Sequence, residues 1–296
     1  MEEIRLFNGP APGTGKAAFK EEEFFEKQKS GRDKHIVQNV SIPRLVPFFP
    51  EKESGEKMPA MVVIPGGSFR RLVYNFEGEE IARWLNSLGI AAFVLKTRLP
   101  VNEHERPEDV ALIDAQRAIR LIRSRAGAWK IAPDKVGVMG FSAGGYMAAL
   151  VASGFGKPVY EPADEIDRES ARPDFAVCGY PAVSLEEERK ALMDAEHLPA
   201  LPHLPDYITG MLTKYNIEAM ITQETPPLFI MDTDDDKVTP PENSIALYMA
   251  ARKAGVTAEL HIFRTGGHGY GLGSDQFQTG QWRGLFAKWL ESISVL

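Results

Sequence analysis

Short apolar runs alternate with amphipathic stretches along most of this chain, and that alternation is the tightest constraint on its fold. Ile36–Ile42, Ala60–Ile64, Ile90–Leu95, Lys135–Met139, Phe175–Gly179, Leu228–Met231 and Ala258–Ile262 read as strands. Ile90–Leu95 shows no polar–apolar alternation, as expected of a strand covered on both faces. Glu77–Ser87, Glu108–Gly127, Ser142–Ser153, Ser244–Ala254 and Gln281–Ser292 read as helices. Within Glu108–Gly127, Ala111, Ala115, Ala118, Ile119, Ile122 and Ala126 share one face, which leaves Arg117, Arg120 and Arg123 to face water. Strands that alternate with helices of this length imply a mostly parallel sheet with helices on both faces. At 296 residues, 44% of them apolar, the chain can bury the core of one large α/β domain spanning 1–296.

Two segments break the rhythm, 154–174 and 184–226, both rich in Pro, Asp and Glu. Long excursions at strand ends of such a sheet usually shape the ligand site. Residues 184–226 are therefore expected to form a cap-like insertion over the pocket. Residues 1–30 read as a surface arm. Gly9-Pro-Ala-Pro-Gly-Thr-Gly15-Lys16 resembles a phosphate-binding loop only superficially, because Pro10 displaces the glycine spacing and Ala17 follows the lysine. The net charge of −7 opposes nucleic-acid binding, which needs a basic face, and opposes docking on anionic lipid. Cys178, the one cysteine, cannot form an internal disulfide and sits in an apolar run as a core residue would. No basic start leads into an apolar stretch, and no run reaches the ~18 apolar residues of a membrane span. The default expectation is a cytoplasmic protein, with a homo-oligomer left open.

Chemistry is concentrated at Gly140-Phe141-Ser142-Ala143-Gly144, a G-x-S-x-G pattern between a clean strand and an apolar helix. A serine on that tight strand-to-helix turn is lifted clear of the sheet, with helix N–H groups close to any developing oxyanion. Its hydroxyl needs a general base, usually a histidine oriented by a carboxylate, and after such an elbow the acid precedes the histidine in the chain. Of six histidines, His35 and His104 precede the serine, His197 and His203 fall in the cap, and His261 lies within a strand. His268, in Thr265-Gly-Gly-His-Gly-Tyr-Gly271 just after a strand, is placed to reach back. The acid should follow Leu228–Met231, where Asp232, Asp234, Asp235 and Asp236 compete. Their spacing also suggests a calcium loop, but Lys237 replaces its glycine and Asn243 its final glutamate, so no metal is expected. Oxyanion donors are expected from Ala143 and from Pro65-Gly66-Gly67-Ser68-Phe69, with Gly67 and Ser68 as the candidates there.

With these pieces in place, the chain resembles the bacterial α/β-hydrolases of the acetyl esterase and acetylxylan-esterase-like family over nearly its whole length from Ile36. The matching stretches are Ile64-Pro-Gly-Gly67, Gly140-Phe-Ser-Ala-Gly-Gly145, Glu224-Thr-Pro-Pro227, Asp235-Asp-Lys-Val-Thr-Pro-Pro-Glu-Asn-Ser244, Arg252-Lys-Ala-Gly-Val256, Glu259-Leu-His-Ile-Phe263 and Gly267-His-Gly269. The resemblance implies an α/β-hydrolase fold, a Ser–Asp–His triad, no cofactor, and hydrolysis of short-chain esters, often O-acetyl groups on sugars. The family's acid stands four residues before a proline. Carried onto Pro240, that selects Asp236, with Asp235 second. Thr239 stands where valine is usual and Ser68 where glycine is usual. The expected partner is thus a small ester substrate. A peptidase or amidase on the same fold, and a non-catalytic binding homologue, are the alternatives, since fold alone does not set the substrate.

Overall fold

The computed structural model describes residues 2–15, 20–28, 31–51, 56–102, 104–184 and 206–296. Its frame is an eight-stranded sheet. In chain order the strands are β1 Ile4–Arg5, β4 Arg44–Phe48, β5 Met58–Ile64, β7 Ala91–Lys96, β8 Ile131–Phe141, β9 Ala176–Gly179, β10 Leu228–Thr233 and β11 Ala258–Phe263. In space the order is β1-β4-β7-β5-β8-β9-β10-β11. From β7 to β11 every pairing is parallel; β1 and β4 add antiparallel partners at one edge. A small antiparallel sheet joins β2 Glu22–Glu26, β3 Lys34–Gln38 and β6 Leu72–Val73.

Along β5, Val62 and Ile64 pack into one layer with α2 (Val110–Ser124) and α3 (Ala143–Gly154). Their neighbours Met61 and Val63 enter the opposite layer with α1 (Glu80–Ser87) and α7 (Trp282–Ser292). This two-residue period between two helical layers explains why the central strands read as unbroken apolar runs. The mostly parallel sheet covered on both faces is the expected fold class.

Several local expectations are corrected. Arg117, Arg120 and Arg123 do not face water. Arg117 is fully buried, with its guanidinium on Asp164 at 2.6 Å and Asp167 at 2.9 Å, and its Nε on the carbonyl of Leu6. Arg120 reaches Tyr160 and Arg123 reaches Asp174. The 154–174 excursion supplies Asp164, Asp167 and Asp174 to the arginines of α2 and leads into the start of β9, the opposite end of the parallel strands from the elbow that follows β8. Residues 2–15 and 20–28 are tied down more than a surface arm would be. Leu6, Phe7 and Ala11 are buried, and β2 pairs with β3. The strand expected over Ile36–Ile42 ends at Gln38, because Asn39 turns to a φ of 59°. Lys16 and Ala17, with 185–205 of the expected cap and its His197 and His203, lie outside the described residues. The rest of that insertion forms α4 (Asp206–Lys214) and α5 (Ile217–Met220), which bury Met211, Leu212 and Ile217 in the α2–α3 layer. Between β10 and β11 runs α6 (Glu242–Lys253).

Candidate active site

The turn between β8 and α3 is built by close backbone approach. A Cβ on Gly144 would stand 2.0 Å from the carbonyl oxygen of Ile64, so only glycine lets α3 start against the end of β5. Ser142 itself has φ 55° and ψ −121°, a conformation L-residues rarely hold, and its N–H is fixed by the carbonyl of Gly179 at 2.9 Å. The strain points the hydroxyl away from the sheet.

Ser142 Oγ lies 2.8 Å from Nε2 of His268, and Nδ1 of His268 lies 2.7 Å from Oδ2 of Asp236. The other oxygen of Asp236 accepts the N–H groups of Val238 and Thr239 at 2.8 and 3.0 Å. Those two bonds fix the carboxylate, and it leaves one oxygen for the imidazole. Thr239 Oγ1 donates to the carbonyl of Tyr180 at 3.0 Å and sits 3.1 Å from Nδ1 of His268. Burial disfavours the imidazolium, but the hydrogen bond and charge of Asp236, followed by the charges of Glu77 and Asp232, outweigh it and raise the His268 pKa.

The four aspartates after β10 divide into different tasks. Asp235 is exposed and accepts the N–H groups of Gly266 and Gly267 at 2.9 and 2.8 Å, which shapes the histidine's loop without touching its ring. Asp234 is exposed, with its N–H on Phe263. Asp232 is buried and accepts from Ser244 Oγ at 2.6 Å and from the Thr233 N–H. Burial pushes its carboxyl up to about 7, against those two bonds. His35 pairs with Glu23 and His261 with Glu259, so neither is near the serine by its contacts.

The loop after β5 runs beside the serine. A Cβ on Gly66 would come within 2.9 Å of Ser142 Cβ. The N–H of Gly66 is taken by Oε2 of Glu77 at 2.9 Å, so among these glycines it is not free for an oxyanion. Gly67 has φ 138°, and a Cβ there would strike the Arg71 carbonyl at 2.1 Å. Ser68 and Phe69 follow at φ 58° and 59°. Phe69 is held edge-on by Tyr146 of α3, with centroids 5.5 Å apart. Ala143 occupies the first position of α3.

Two site neighbours carried no usable signal in the sequence. Glu77 reads there as an ordinary acid at the start of a helix. Tyr180 reads as the end of an apolar strand, yet it is buried at φ 36° and lies edge-on to His268 at 5.0 Å.

Comparison with known proteins gives the family. The BD-FAE family model matches residues 47–250. The acetylxylan esterase of Xylanibacter ruminicola is 32% identical over 252 residues, covering 84% of this chain and 48% of that protein. The endo-1,4-beta-xylanase B of Butyrivibrio fibrisolvens is 32% identical over 232 residues, 77% of this chain and 35% of that protein. The chain therefore spans about half the length, or less, of these two relatives. The crystal structure of the acetyl ester-xyloside bifunctional hydrolase from Caldicellulosiruptor lactoaceticus superposes with a TM-score of 0.76 at 34% identity, covering 100% of this chain and 97% of that one. No helix among the described residues is long and apolar enough to cross a membrane. This chain belongs to the BD-FAE family, on the α/β-hydrolase fold of esterases.

Proposed function

We propose that the protein is a serine esterase that removes short acyl groups, acetyl above all, from small esters and acetylated sugars. The observation that carries this reading is the unbroken line from Ser142 Oγ through His268 to Asp236, at 2.8 and 2.7 Å. Relatives named as an acetylxylan esterase and an acetyl ester-xyloside hydrolase support the substrate class.

In the reaction, His268 Nε2 takes the proton of Ser142 as Oγ attacks the ester carbonyl. Asp236 holds the proton on Nδ1 and stabilises the imidazolium. The N–H groups of Ala143 and Gly67, with Ser68 beside them, receive the oxyanion. His268 then protonates the departing alkoxide. Water, deprotonated by the same nitrogen, attacks the acyl-enzyme and returns Ser142 to its free form.

A panel of para-nitrophenyl acetate, butyrate and octanoate, with acetylated xylo-oligosaccharides, tests the substrate class. The expected order in kcat/KM is acetate first and octanoate last, with acetate released from the sugar. A preference for octanoate, or an inert acetylated sugar alongside rapid amide cleavage, would overturn it.

The general base must be neutral to act, so kcat/KM rises as pH passes through the His268 pKa. Because the surrounding carboxylates raise that pKa, the acidic limb is expected above the ordinary histidine value of about 6.5. A limb at or below that value in a pH–rate profile would contradict the role given to Asp236 and its neighbours.

A further inference from the structure

The carboxylate of Glu77 is buried behind the site, and among the described residues no lysine or arginine is in hydrogen-bond contact with it. Its side chain comes from the wide helical turn Asn75–Glu79 that leads into α1. Oε2 accepts the Gly66 N–H at 2.9 Å, and Oε1 accepts the Tyr180 hydroxyl at 2.9 Å. The Tyr180 oxygen in turn accepts the Gly271 N–H at 3.1 Å, which leaves the phenol proton for Glu77. One carboxylate thus holds the loop after β5 and, through one phenol, the loop that carries His268. Both of its oxygens accept, the pattern of an ionised group. Gly269, the residue after His268, stands close enough that a Cβ there would lie 3.9 Å from Oε1.

We propose, building on the esterase reading above, that Glu77 is a positioning residue. In this role it clamps the oxyanion loop to the histidine loop through Tyr180, and it places a second negative charge behind the imidazole. By taking the Gly66 N–H, the clamp turns the next amides, at Gly67 and Ser68, away from the carboxylate and leaves them for the substrate. By standing beside the His268 loop, its charge favours the imidazolium that forms when Ser142 attacks. An unpaired buried carboxylate is costly, and burial does push its pKa up, against the pull of His268, Tyr180, the Gly66 amide and Lys34. Such a group is retained where the site uses its charge. The ionisable groups facing His268 are Asp236, Glu77 and Asp232, with Tyr180 edge-on to its ring and Tyr270 against Tyr180.

The test compares Glu77→Gln, Tyr180→Phe and Ser142→Ala by kcat, KM, pH–rate profile and thermal melting, with para-nitrophenyl acetate as substrate. Glu77→Gln keeps the size but removes the charge. It is expected to lower kcat on the order of ten- to a hundredfold with KM nearly unchanged, as displaced catalytic groups do. Losing a negative charge lowers the His268 pKa, so the acidic limb should move to lower pH by roughly half a unit. Tyr180→Phe cuts the clamp without changing charge, so kcat should fall while the limb stays in place. A limb unmoved in Glu77→Gln overturns the proposal whatever happens to kcat, since a merely structural acid would do no more than destabilise the fold. If Glu77→Gln does not fold, Tyr180→Phe decides alone, and an unchanged kcat overturns the clamp. Ser142→Ala separates the two levels. Activity surviving in that variant removes the esterase reading itself, whereas its loss beside an unmoved Glu77→Gln limb removes only this inference.

Discussion

Replacing Ser142 with alanine is expected to reduce kcat/KM for para-nitrophenyl acetate by about 10⁴- to 10⁶-fold while leaving the fold intact. The size of the loss follows from the chemistry: without Oγ there is no acyl-enzyme, and His268 has no proton to take. What remains is the binding of the ester by the oxyanion amides and slow attack by water. The intact fold follows from the contacts. The side chain of Ser142 bonds to His268 Nε2, while the strained φ of 55° is held by backbone, through the Gly179 carbonyl and the first turn of α3. Alanine tolerates that conformation about as poorly as serine, so the strain is not relieved and the melting temperature should stay within a few degrees. Reaction with a fluorophosphonate probe should be abolished in parallel. Full labelling of Ser142→Ala would mean that another side chain is the nucleophile.

The parts of the fold legible in the sequence were those whose pattern reports burial directly. The central strands β5, β7, β8, β9 and β10 are covered on both sides, so their apolar runs announce themselves. β4 did not, because Arg44-Leu-Val-Pro-Phe48 carries a proline that argues against a ladder. Its pairing explains the tolerance: β1 reaches only Arg44 and Leu45, so at Pro47 the strand is an edge on that side. β2 has three glutamates in five residues and reads as an exposed tract. The arginines of α2 look solvent-facing in the sequence for a related reason. Helical periodicity tells which face turns from the sheet, but not that Asp164, Asp167 and Asp174, some fifty residues on, will cover it.

The site divides in the same way. Ser142 and His268 were legible because the chemistry needs each in a distinctive backbone setting, an elbow and a glycine-rich turn. Asp236 came only through the family resemblance, since four aspartates in five positions look alike until the backbone shows where each oxygen points. Glu77 and Tyr180 were not legible at all. Their part is defined by hydrogen bonds between segments far apart in sequence, and an acid at a helix start or a tyrosine after a strand has many ordinary reasons to be there.

The two adjacent aspartates offer the sharpest contrast. Asp236→Asn is expected to lower kcat by about 10³- to 10⁴-fold, and Asp235→Asn by less than about threefold. In Asp236→Asn the amide oxygen should keep the two backbone bonds from Val238 and Thr239, because only it can accept them. That places the NH₂ group against Nδ1 of His268, donor to donor. The imidazole relieves the conflict by moving its proton to Nε2, and a protonated Nε2 cannot take the proton of Ser142. Thr239 tempers the loss. Its Oγ1, already donating to the Tyr180 carbonyl, stands 3.1 Å from Nδ1 and can accept the Nδ1 proton, preserving a fraction of the productive tautomer. Adding Thr239→Val to Asp236→Asn should therefore cost a further several-fold. Asp235→Asn meets no such conflict. A neutral Oδ1 can still accept the N–H groups of Gly266 and Gly267, so the histidine's loop keeps its shape and loses only a charge that faces solvent. Kinetics in which Asp235→Asn is the crippled variant would place the orienting acid at the wrong residue here, and with it the hydrogen-bond logic that assigns one carboxylate to the ring and its neighbour to the loop.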